Sequence, residues 1–554
     1  MITQIASFNL KNVKSFADWK LLLFLILFMD VKLAVKVAAI ILIYILQFDF
    51  KFGFSFKNSR LPLFYLCAIG IAVIDWLIGR NYALNYDLVL FTGIGFWLLC
   101  ILAMHQVKLS VDNHDIQIIH RTVVIFFILN AIVSLLNIAV IIYHTGHINP
   151  YTYQGQYQKY FIGTGDYIKG LTFDTSTTNA VLNTFGVIYF LNKKNAAMML
   201  LCMAVMLLTG SNFMDILLLG ILAVIFLFKS TRDQKSLIAI CAMFVVLFMV
   251  KISPQNYMYV HETIKNNFFP QPIVTKAPEK PLPYITMRPD STLTAAERKD
   301  KIARGFLDSV FIARSPKPQL IVKASSVKDT TIKTTTGRII IPVADINSMP
   351  YQHVAETTAY QRQLLSFIQL NKAKLPVAGK DDYTPHLPGK AIGTLQTINF
   401  LGSHPLKLIV GDGIGNFSSK LAFRVSGLGF AGGYPQKFAY TSPDFLRNHL
   451  DLYLDFFSKK TDFHSLTNNP GSVYDQLLAE YGLTGIFCFV AWYLGYFLKH
   501  YKKLTYGIPV LVILLAVFAI DYWFEQLSVL LFFELLLLLN IKENTAEHPP
   551  AYAN

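Results

Sequence analysis

The sequence predicts an all-α polytopic membrane protein with about 12 transmembrane helices and a large mixed insert between the ninth and tenth spans. Three observations carry this prediction. Of 554 residues, 54% are hydrophobic and only 15% are charged, with a mean hydropathy of +0.44; a soluble protein carries about 25% charged residues. The apolar residues come in blocks such as LLLFLILFM, AAIILIYILQF and LLFFELLLLLN. A single polar stretch, residues 253–472, interrupts those blocks late in the chain. These features exclude a soluble enzyme, a fibrous protein and a disordered chain.

A span needs about 20 mostly apolar residues. The first block, 19–48, is divided by Asp30, Lys32 and Lys36 into two short apolar pieces, which read as a hairpin or as one long tilted helix. Further spans fall at 61–78, 87–105, 121–143 and 176–192. Two lie back to back in 195–229, broken at Thr209-Gly210-Ser211-Asn212, and a ninth covers 235–252. The last three occupy 476–498, 506–522 and 524–541. The organisation is therefore a membrane domain over 1–252, an insert over 253–472, a second membrane part over 473–541 and a disordered cytoplasmic tail over 542–554. The first apolar block is followed by no small-residue cleavage site and reads as retained.

With both termini cytoplasmic, the short inside loops carry Lys51, Lys57 and Arg60, then Lys193 and Lys194, then Lys229, Arg232 and Lys235, then Lys499, Lys502 and Lys503. The opposite side carries Arg80, Lys159 and Lys169 and little else in its short loops. That asymmetry sets the orientation, and Lys11, Lys14 and Lys20 fit it only if 19–48 is a hairpin. The insert then faces outward with 26 Lys and Arg against 16 Asp and Glu, a net of +10. A basic surface beside a bilayer suits anionic headgroups, lipid diphosphates or acidic glycans, and equally a merely soluble basic domain. All five cysteines (Cys67, Cys100, Cys202, Cys241 and Cys488) lie in or beside apolar spans, so the insert has neither a disulfide framework nor a cysteine zinc site.

Within the insert, 270–295 reads as a Pro-rich linker. Helical spacing marks 296–314 and 354–370, and QLIVKAS and GRIIIPV read as short strands. Ser442-Pro443-Asp444 opens a helix, with a Ser cap, Pro in the first turn and an acid at the positive end. That helix is expected to run to Lys459 and Lys460, whose charges suit its C-terminal dipole.

Three segments together resemble the O-antigen ligase and polymerase superfamily. LLTGSNFMDILLLGILAVIF (207–226) is similar to that family's Thr-Gly-Ser-Arg turn entering an apolar helix. HPLKLIVGDGIGNFSS (404–419) resembles its His-Pro segment with alternating glycines, and NNPGSVYDQLLAEYGLTGIFCF (468–489) resembles its Glu-x-Gly motif at the start of a span. Asn212 stands where the family has Arg, and Gly471 and Ser472 stand where it has His-Asn. The resemblance implies a GT-C-like glycosyltransferase of the Gram-negative inner membrane, independent of metal ions, cofactors and nucleotide sugars. Its donor would be an undecaprenyl-diphosphate-linked glycan, presented at the periplasmic face. Its acceptor would be a second carrier-linked glycan (a polymerase) or lipid A core (a ligase). The implied partners are those glycans and membrane lipids, with no nucleic acid.

Such a reaction needs a group to stabilise the leaving lipid diphosphate, a base for the acceptor hydroxyl and a cleft that admits a polyprenyl chain. Arg424, Arg447, His464 and Glu480 are the candidate catalytic residues. Asn212, Gly411, Gly413, Gly415 and His449 are the candidate substrate-binding residues. Each has a plainer alternative. The glycines more readily build a structural turn than a phosphate cradle, and Arg424 is as well placed on a surface as on a lipid diphosphate. Arg447, Asp451 and Asp455, at i, i+4 and i+8, form an ordinary helix-face ion pair as easily as a site. His464 is available to replace the absent family His but also reads as a solvated loop residue. Glu480 sits where a helix dipole favours an acid. Glu534, mid-span, must be protonated, paired or facing a polar cavity. A transporter or flippase, usually built of two similar halves, and a non-catalytic scaffold of a polysaccharide pathway are the competing function classes.

Overall fold

The computed structural model describes residues 16–79, 84–152, 167–253, 388–426, 434–449 and 469–547, with isolated positions between. Every regular element among the described residues is helical, and no strand occurs among them. The expected strands at 319–325 and 337–343, the expected helices at 296–314 and 354–370 and most of the linker lie outside them.

The first apolar block folds as two helices, α1 (Trp19–Met29) and α2 (Leu33–Leu46). Asp18 caps α1 by accepting the Leu21 N–H (3.0 Å). Lys20, at the start of α1, donates to the Leu46 carbonyl at the end of α2 (3.1 Å), so the two run antiparallel as a hairpin. The charged triplet at its tip ends α1 because Asp30 accepts the Lys32 N–H (2.8 Å), an Asx turn that competes with helix. At 1.5 Å per residue, the 11 residues of α1 reach about 16 Å, half the thickness of a bilayer core.

The described chain continues as α3 (Phe64–Gly79), α4 (Leu84–Asn113), α5 (Ile116–Thr145), α6 (Ser176–Asn192), α7 (Ala196–Leu208), α8 (Asn212–Phe228) and α9 (Arg232–Leu247). From the insert come α10 (Gly389–Ser403) and three short helices, α11 (Pro405–Val410), α12 (Lys420–Val425) and α13 (Pro443–Asn448). The C-terminal part comprises α14 (Val473–Cys488, continued to Leu498), α15 (Gly507–Val517), α16 (Trp523–Gln526) and α17 (Ser528–Glu547). Among the described residues, four helices are long and apolar enough to cross a membrane: Asn85–Asn113, Ile116–Thr145, Arg232–Ile252 and Val473–Leu498. The remaining apolar helices are shorter, α1–α3, α7, α8 and α15 among them.

Two helices occupy the centre. Residues 528–540 of α17 are all buried, as is nearly all of α6. For α17 the cause is its sequence, apolar on every side. For α6 it is a polar ladder. Asn179 donates to the Ser134 hydroxyl (3.0 Å) and the Ile168 carbonyl (2.9 Å), and accepts from Asn130 (2.8 Å) and Asn183 (2.8 Å). Each amide is matched, which is what permits it to be buried. The expected disordered tail from 542 is corrected in part, because α17 continues to Glu547. The reason is anchoring: Lys542 donates to the Val111 (2.5 Å) and His114 (2.5 Å) carbonyls at the end of α4, and Asn544 donates to the Lys503 carbonyl (2.7 Å).

Candidate functional site

The second and third family-like segments meet. Gly482 breaks α14 with φ +64° and ψ −165°, which frees the carbonyls of the preceding turn. The Asp412 N–H donates to the Ala479 carbonyl (2.8 Å) and the Gly413 N–H to that of Glu480 (3.2 Å). The approach is so close that a Cβ on Gly411 would lie 2.2 Å from the Glu480 carbonyl carbon, and one on Gly482 would lie 2.4 Å from the Ile409 oxygen. Gly411 and Gly482, both at positive φ, are therefore required by contact as well as by conformation.

The turn cradles a carboxyl group, and that group belongs to the chain. The fully buried Glu480 carboxyl accepts the Phe417 N–H (3.3 Å), with the Gly415 amide and the Ser419 hydroxyl also turned toward it. Beside it, Asp475 in the first turn of α14 accepts from the Ser418 hydroxyl (2.6 Å) and lies 3.2 Å from Nε2 of the fully buried His449. Tyr522 adds its hydroxyl 3.1 Å from that of Ser418. His449 Nδ1 has no hydrogen-bond partner among the described residues. On the outer side of the turn, Lys407 pairs with Asp412 and Asp444, and burial pushes the Asp412 carboxyl up to about 8 against the pull of Lys407.

The helix that follows opens onto different surroundings. Ser419 caps α12 by accepting the Ala422 N–H (3.0 Å), which fixes Lys420 and Arg424 one turn apart. Both line a cleft of about 310 Å³, open mouth included, together with Lys36 from α2 and with Asp174, Glu525 and Gln526. Lys36 is held by the Phe28 carbonyl at the frayed end of α1 (2.5 Å) and by the Ser528 hydroxyl (2.6 Å). Gln476 of α14 donates to Glu525 Oε1 (2.6 Å), which ties the cleft to the motif helix. Arg424 Nε is buried without a partner among the described residues, and so is Glu525 Oε2. The cleft thus presents three cations, two acids and donors not committed to the protein.

Of the sequence candidates, Arg424 lines this cleft, while Glu480, Gly411, Gly413, Gly415 and His449 form the packed turn behind it. Asn212 opens α8 beside the buried Asp215 and does not border the cleft; neither its Oδ1 nor the Asp215 carboxylate has a described partner. Ser442 caps α13 as expected, accepting from Asp444 (3.1 Å), but the helix stops at Asn448 rather than Lys460. Arg447 lies on it, its side chain outside the described residues, as are His464, Asp451 and Asp455. Sequence reasoning missed Lys36, Lys420, Glu525 and Lys390 as site residues. Lys390 bonds the carbonyl of Gly471, and burial pulls its ammonium down to about 8. The available signal was a lysine inside an apolar block for Lys36 and a lysine directly after the glycine turn for Lys420.

No protein-family model, curated protein or solved structure matches the chain.

Proposed function

We propose that the chain is a membrane glycosyltransferase of cell-surface polysaccharide assembly, moving a glycan from undecaprenyl diphosphate to an acceptor glycan at the periplasmic face of the bacterial inner membrane. The observation that carries this reading is the cleft in which Lys36, Lys420 and Arg424 converge beside Glu525, directly adjoining the docked glycine turn and α14. In this reading the shorter apolar helices complete a GT-C-like bundle of about 12 spans, and the insert faces the periplasm.

The chemistry follows from the donors. An acceptor hydroxyl attacks the anomeric carbon, and the bond from that carbon to the diphosphate oxygen breaks, leaving its electron pair on the lipid diphosphate. The planar guanidinium of Arg424 matches two phosphate oxygens, while Lys36 and Lys420 supply point charges. Glu525, oriented by Gln476, takes the hydroxyl proton.

The test uses purified protein in lipid with a carrier-linked oligosaccharide, scored by product length on a gel. A ladder without lipid A marks a polymerase, and product only with a second acceptor marks a ligase. Absence of product with either acceptor and a verified donor overturns the proposal.

A further inference from the structure

Glu534 is a carboxylic acid halfway along α17, 2% exposed, in a stretch otherwise made of Leu and Phe. Its surroundings come from four helices. Tyr65 of α3 donates to Oε1, and so does Tyr493 from the continuation of α14 (3.2 Å). Cys100 of α4 lies beside them, its thiol 3.9 Å from the Phe524 carbonyl. Glu534, Tyr65 and Cys100 border a second, water-sized cavity, lined otherwise by Phe28, Ala103, Leu527, Leu530 and Leu531.

Both tyrosine hydroxyls fall on the same oxygen. Oε1 is thereby a double acceptor, and no described hydrogen bond falls on Oε2. That arrangement accommodates both forms of the acid. With Oε2 bare, two phenol donors support the anion; with a proton on Oε2, Oε1 serves as the carbonyl oxygen and keeps both bonds. A rearrangement of partners is not needed to pass between them. A metal ion is poorly served, since the site offers one carboxylate and two phenol oxygens already turned to it, amid apolar carbon. Phe28 links this cavity to the cleft: its ring borders the cavity and lies 5.0 Å from Lys36 Nζ, while its carbonyl holds that ammonium.

We infer that Glu534 is a reversible proton-binding site inside the helix bundle, with Oε2 the oxygen that gains and loses the proton and the adjoining cavity the route to it. Among the described residues, the titratable groups near it are Tyr65, Cys100, Tyr493 and Tyr496, with Lys36 behind the Phe28 ring. The inference stands on this geometry and not on the glycosyl-transfer reading.

The test uses the full chain in lipid and dicyclohexylcarbodiimide, an apolar reagent to which a protonated carboxyl adds, giving an O-acylisourea that rearranges to a stable N-acylurea. Modification of the peptide carrying Glu534 is read by mass spectrometry from pH 5 to pH 9. The expected result is modification that falls as pH rises and is abolished in Glu534→Gln. Tyr65→Phe and Tyr493→Phe each remove a donor to the anion and should move the half-modification point to higher pH by about one unit. Modification equal at every pH would show a permanently protonated, static acid and overturn the inference. So would absence of modification at pH 5 in protein that remains monodisperse and whose Cys100 resists a small uncharged thiol reagent, since the cavity would then be sealed. If Cys100 reacts while Glu534 does not, the acid is never protonated, which overturns it equally.

Discussion

The glycine turn on α14 and the cationic cleft beside it are built from neighbouring residues, and both hold buried side-chain atoms without a described partner. They differ in charge and in use of the backbone: the turn gathers acids and ties them with amides, and the cleft gathers three cations. In the turn, the amides of Asp412, Gly413 and Phe417 all donate to α14, and Asp475 is shared by Ser418 and His449. In the cleft, Arg424 Nε and Glu525 Oε2 have no described partner. The first is a joint and the second an open cleft. A motif can thus lie beside a cleft without its own residues lining it. The residues that line this one follow the motif, at Lys420 and Arg424, or arrive from the far end of the chain, at Lys36.

Three changes test that division, in order of expected size, and a fourth reads its pH dependence. Gly411→Ala drives a methyl into the backbone of Glu480 at a φ of +91°, and should cost about 4 kcal/mol or more, seen as loss of a cooperative thermal transition. Arg424→Ala should lower the transfer rate by about 10²–10³-fold, the scale of removing one donor from a charge-stabilising site. Its melting temperature should stay close to wild type, since no described side chain loses a partner; a large drop would move Arg424 to the joint. Glu480→Ala leaves the Phe417 amide buried and unpaired, and should cost about 2 kcal/mol in a denaturation midpoint. If instead its stability is unchanged and only donor affinity falls, the turn binds the donor too.

The fourth change concerns pH. Asp412 titrates near 8 when folded, and unfolded near the ordinary Asp value of 3.8, so the folded chain holds the extra proton between those values. Stability therefore falls as pH rises through that window. Asp412→Asn should flatten the fall, measured as melting temperature from pH 5 to pH 8.

Much of the helical plan was legible because apolar blocks and charged breaks act locally. Asp30 to Lys32 ends α1, Ser442 caps α13, and the Gly210-Ser211 break separates α7 from α8, all by chemistry within a few residues. Less of the site was legible. That the glycines dock on backbone rather than on phosphate depends on the break at Gly482, a partner distant in sequence. Lys36 reads as an interruption of an apolar run until Ser528 is placed against it. The continuation of α17 past Lys542 likewise rests on carbonyls at the end of α4, which no local pattern displays.

The Lys36–Ser528 hydrogen bond joins positions 492 residues apart. On a ribosome adding about 5–20 residues per second, the lysine precedes its partner by roughly 25–100 s. Throughout that interval the first hairpin is in place and the wall that closes over it does not exist. The cleft is consequently finished only after Ser528 has been made, long after the hairpin that carries Lys36. Any truncation before α17 leaves the Lys36 ammonium without its Ser528 hydrogen bond.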